Sequence, residues 1–147
     1  MPVYKAAWSA QLEAHNFNSE LSFQPKTAFA NSQLANLLLA RTLSTRCQSA
    51  GLAVTVNCFD KGVHGNGRLM SRLTGSAGSA AGAETAVHLA VSSDGRHYSG
   101  EYFSGCRRAG VPPLALDEKL ASLLWDFSCF CTNLEPDENG QHKEMTL

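Results

Sequence analysis

Long apolar runs are missing from this sequence. No stretch approaches the roughly 18 residues that a membrane-spanning helix needs. A surplus of positive charge is missing too: 12 Lys and Arg stand against 13 Asp and Glu, for a formal net charge of −1. Arg107-Arg108 is the one adjacent basic pair, so the charge pattern favours neither nucleic acid nor an anionic membrane surface. The start, Met1-Pro2-Val3-Tyr4-Lys5, has no charged segment followed by an apolar one and does not read as a signal peptide. A cytoplasmic location is the expectation.

Other frameworks are absent as well. The five cysteines, Cys47, Cys58, Cys106, Cys129 and Cys131, are odd in number and irregular in spacing, which argues against a set of disulfides. Reduced and mostly buried thiols are expected. Cys129-x-Cys131 stands alone where a zinc site needs about four ligands. The histidines, His15, His64, His88, His97 and His142, share no i, i+4 spacing on one helix. No metal site is therefore expected. No G-x-S-x-G elbow supports a serine hydrolase. Thr74-Gly75-Ser-Ala-Gly78-Ser-Ala-Ala-Gly82 suggests a phosphate loop, but its glycine spacing is wrong and no buried strand precedes it. A flexible connection is the expectation there, and Gly62 to Gly67 lacks the same context.

What is present is a globular balance, with 44% apolar and 17% charged residues in a 147-residue chain that suits one domain. Residues 1–25 read as a lead-in, with Val3 to Leu12 a possible short strand before a polar loop. Residues 26–49 carry the strongest helical signal. Ala28, Phe29, Leu34, Ala35, Leu37, Leu38, Leu39, Ala40 and Leu43 make an apolar cylinder, which implies burial on more than one side. Thr27 is a candidate N-cap and Gly51 a natural stop. Residues 52–59, Leu-Ala-Val-Thr-Val-Asn-Cys-Phe, form the best strand. A helix, a glycine turn and such a strand are part of a βαβ unit and predict a parallel sheet. Further on, Glu84 to Val91 is helical, Asp94-Gly95 a turn, and Tyr98 to Phe103 a short aromatic strand. Val111-Pro112-Pro113 is a linker. Leu116 to Cys131 is a second helix, with Asp117 as N-cap and Leu120, Leu123, Leu124, Phe127 and Cys131 as its inner stripe. The domain then spans 26–134, and 135–147 is a polar tail.

One stretch is more specific than its periodicity. Ala28-Phe29-Ala-Asn-Ser32-Gln33-Leu34-Ala35-Asn36-Leu-Leu-Leu-Ala40-Arg41-Thr-Leu43 resembles the active-site helix of the short-chain dehydrogenase/reductase family, most closely its retinol-dehydrogenase-like branch. Other matches follow in family order. Gly51-Leu-Ala-Val-Thr-Val-Asn57 resembles the G-V-x-V-N strand, and Asp60-Lys61-Gly62-Val63 stands at the P-G-V turn. Gly82-Ala83-Glu84-Thr85 resembles the G-A-x-T helix start, Ser99-Gly100-Glu-Tyr102-Phe103 resembles S-G-K-Y-F, and Leu124-Trp125-Asp126-Phe-Ser128 resembles the final L-W-x-x-S helix.

The resemblance implies an α/β fold: the C-terminal half of a Rossmann-like, doubly wound parallel sheet with helices on both faces. It implies NAD(P)-dependent redox chemistry on an alcohol or carbonyl. A family Tyr exchanges the substrate proton, and a Lys one turn later lowers its pKa and holds the nicotinamide ribose. Here Phe29 and Gln33 stand at those positions. Phe29 has no hydroxyl and reads as a core aromatic. Gln33 can hydrogen-bond but carries no charge. Asp60, Gly62 and Val63 match the cofactor-binding turn, with Lys61 in place of its proline. The family's catalytic Ser would fall near Trp8 to His15, at Leu12 or Ser9. The family's glycine-rich loop lies upstream of the active-site helix, and about 28 residues precede that helix here.

The expectation is therefore a truncated, catalytically inactive oxidoreductase-like protein, with no cofactor, or NAD(P) if any activity survives. One alternative is a working oxidoreductase, or a subunit whose cofactor half another chain supplies. Another is a non-enzymatic module that binds a protein, or a ligand near 62–82 and 98–108. Homo- or hetero-oligomerisation through helix 27–49 is expected on the strength of its apolar surface.

Overall fold

A computed structural model describes residues 7–60 and 77–134. The chain runs through a 3-10 turn (Ala14–Asn16), helix α1 (Pro25–Ser49), strand β1 (Cys58–Phe59), helices α2 (Ala77–Val91) and α3 (Ser93–His97), strands β2 (Tyr102–Ser104) and β3 (Arg107–Arg108), a 3-10 turn (Pro113–Leu116) and helix α4 (Glu118–Thr132). The expected strand over Val3 to Leu12 is not seen within residues 7–12, and Val3 to Ala6 lie outside the described residues.

Helix α1 begins at Pro25, whose fixed φ and missing N–H suit the first helical turn. The cap position is Gln24, not Thr27, and it makes no side-chain cap. The helix ends where Gly51 takes a φ of +66°, a conformation that β-carbon sterics disfavour for other residues. Its buried residues are Ala30, Asn31, Leu34, Leu37, Leu38, Ala40 and Ser44, while Phe29, Ser32 and Asn36 are exposed. The all-round burial implied by its composition is thus only partly realised.

The core gathers Leu34, Leu37 and Leu38 of α1 with Leu120 and Leu124 of α4, Ala7, Ala10 and Leu12 of the lead-in, and Tyr102 of β2. Asp117 caps α4 by accepting from the Leu120 N–H at 2.9 Å. Cys131, expected on the inner stripe of α4, is exposed, and Cys129 is buried in its stead. At the far end, the Arg46 guanidinium lies 4.2 Å from the centroid of Trp125, a cation–π contact joining α1 to α4. Among the described residues, no helix is long and apolar enough to cross a membrane.

The sheet has the order β1-β2-β3. β1 and β2 are parallel, with Cys58 opposite Tyr102 and Phe59 opposite Phe103. The connection between them carries α2 and α3, so this is a βαβ crossover. β3 departs from an all-parallel sheet by pairing antiparallel to β2 through a turn at Gly105 and Cys106, both at positive φ. The glycine cluster is not a flexible connection throughout. From Ala77 onward it is helical, and Gly78 and Gly82 lie inside α2; the amphipathic piece near Leu69 to Leu73 lies outside the described residues.

Of the expected strand 52–59 only Cys58 and Phe59 join the ladder, with Val56 O also accepting the Gly100 N–H at 2.7 Å. Side chains do that work upstream. Thr55 Oγ1 donates to Gly95 O at 2.9 Å, Val56 N–H donates to Ser99 Oγ at 3.0 Å, and Asn57 spans Tyr98 O and the Glu101 N–H. Ser44 Oγ of α1 donates to Ser99 Oγ at 2.7 Å. Gly100 follows at φ +78°, where an added Cβ would sit 3.2 Å from Ser44 Oγ. The Ser99-Gly100 dipeptide therefore joins helix, strand and sheet at one point. Asp94-Gly95, expected as a turn, lies within the short helix α3.

Candidate active site

Along one side of α1 the spacing i, i+4, i+7 lines up Phe29, Gln33 and Asn36. Phe29 is 49% exposed. This corrects the reading of Phe29 as a core aromatic: composition marks an apolar residue, but the core forms on the opposite side, where Ala30 and Leu34 meet α4 and the lead-in. Gln33 Nε2 donates to Ser32 Oγ at 3.3 Å, and Ser32 Oγ donates to Phe29 O at 2.8 Å. The pair thus presents a bare ring and a neutral amide.

Gln33 opens onto a groove of about 320 Å³ between α1 and β1. Leu37, Leu39, Ala40 and Leu43 form one wall, and Val56, Asn57, Cys58 and Phe59 the other. Cys58 Sγ donates to Asn36 O at 3.2 Å. Burial pushes its thiol pKa to about 11, against the usual 9.0. That leaves about a hundredfold less thiolate at pH 8 than an ordinary cysteine holds. Iodoacetamide at pH 8 should therefore label exposed Cys131 long before Cys58, by peptide mass spectrometry; equal rates would contradict the burial of Cys58. The sign for stability follows. The neutral thiol is favoured in the folded state, so this contribution is complete below pH 9.0 and is lost as pH rises through about 11.

Beside the groove, Asp60 is 5% exposed. Its carboxylate accepts from Tyr102 Oη at 3.1 Å and from Ser104 Oγ at 3.2 Å, and its N–H donates to Phe103 O at 3.1 Å. The Asp60 side chain is thus turned into the protein. Gly62, Val63 and Lys61 lie outside the described residues. Leu12 is buried in the core and Ser9 is exposed; neither belongs to the groove walls. Thr85 of α2 is buried, and its Oγ1 accepts the Cys106 N–H at 3.2 Å, which locks α2 to the β2–β3 turn.

Two polar joints escape a reading by periodicity. One is the Asp60–Tyr102–Ser104 cluster. The other is Asn31, whose amide exchanges hydrogen bonds with the backbone of Gln11, at 2.9 and 3.3 Å. Asn31 was legible only as a polar residue on an apolar helix.

No family model matches the chain. It is 33% identical to retinol dehydrogenase 14 of Mus musculus over 132 residues, which is 80% of this chain and 39% of the relative. It is 33% identical to dehydrogenase/reductase SDR family member 13 of Bos taurus over 135 residues, 82% of this chain and 35% of the relative. This chain belongs to the short-chain dehydrogenase/reductase family. Members are oxidoreductases, typically NAD(P)-dependent. A crystal structure of an uncharacterized protein from Mycobacterium Paratuberculosis shares its fold, with a TM-score of 0.71 at 24% identity over 88% of this chain and 48% of that one. The chain spans about two fifths of the length of the curated relatives it matches. The short-chain dehydrogenase motifs now have structural duties: Ser99-Gly100 joins α1 to β1, and Thr85 fixes the hairpin turn.

Proposed function

We propose that this short-chain dehydrogenase family member carries out no redox chemistry with NAD(P) by itself. The observation that carries the reading is the pair Phe29 and Gln33 on the accessible side of α1. A Tyr–Lys pair there supplies a proton donor and a charge that tunes it; a phenyl ring and an amide supply neither. Among the described residues beside the groove, neither Cys58 nor Tyr102 compensates. The Cys58 thiol stays protonated at neutral pH, and the Tyr102 hydroxyl is buried and committed to Asp60. Losing a general acid/base costs about 10²–10⁴-fold in rate.

Among the described residues, Asp60 of the matched turn and Gln33 also fit NAD(P) poorly. The Asp60 carboxylate is engaged by Tyr102 and Ser104. Gln33 offers a ribose one neutral hydrogen bond without charge. No glycine-rich dinucleotide signature occurs in the 147 residues. Isothermal titration with NAD and NADP should show no binding, and an alcohol-dependent absorbance assay no turnover above buffer. Micromolar binding, or turnover by the unaltered chain, would overturn the reading. The open groove favours a second role, as an interaction module.

A further inference from the structure

We draw no further inference here: the strongest candidate, the apolar groove of about 320 Å³ walled by Leu37, Leu43, Val56 and Phe59 between α1 and β1, carries none because nothing among the described residues shows what covers it.

Discussion

Phe103→Ala should cost about 3–5 kcal/mol of folding stability. Phe103 is fully buried at 0% exposure. It sits on the central strand, opposite Phe59 on one side and Arg108 on the other. Its ring lies 6.3 Å from that of Tyr98, in a tilted pair. Truncation removes the transfer energy of the ring and leaves a void that two short strands cannot close. Domains of this size hold only about 5–15 kcal/mol in total, so a large part of the folded population is at stake. Urea denaturation followed by circular dichroism should show the midpoint falling sharply. Phe130→Ala, at a 64% exposed site, should change stability by only about 0.5 kcal/mol. Equal effects of the two substitutions would show that Phe103 is not the keystone of the sheet.

Asp60→Ala should cost about 1–3 kcal/mol, because it removes the carboxylate that accepts from the buried Tyr102 hydroxyl. Ser104 is half-buried and can turn to water; Tyr102 cannot. Asp60→Asn keeps one acceptor oxygen and should cost less than the alanine. A double-mutant cycle isolates the pair. In a Tyr102→Phe background the hydroxyl is gone, so Asp60→Ala should lose much of its effect. Additive costs in that cycle would contradict the hydrogen bond as the source. The same cycle bears on function: were Asp60 held for a ligand, its removal would leave stability nearly unchanged.

Much of the architecture was legible from the residues. Helix α1 was expected over 26–49 and spans Pro25–Ser49, because an apolar run between a proline and a glycine has few other options. Asp117 was legible as a cap because short acidic side chains accept helix N–H groups. The strand 52–59 was over-read. Its composition suits a strand buried on both sides, yet a ladder needs backbone from a neighbour, and β2 offers only a short partner. The glycine cluster was under-read, because alanines among the glycines let α2 extend back to Ala77.

The candidate site divides the same way. Chemical identity belongs to sequence: Phe29 and Gln33 lack a proton donor and a charge wherever they point. Orientation does not. Helical periodicity names which residues share a side of α1, but only packing chooses the side that is covered. Leu34 and Leu38 meet α4, and that leaves Phe29 exposed and Gln33 open to the groove. In the same way, the joining of Asp60 to Tyr102 and Ser104 spans more than 40 positions. Such pairs arise when parallel strands come into register, a long-range event that no local pattern of residues encodes.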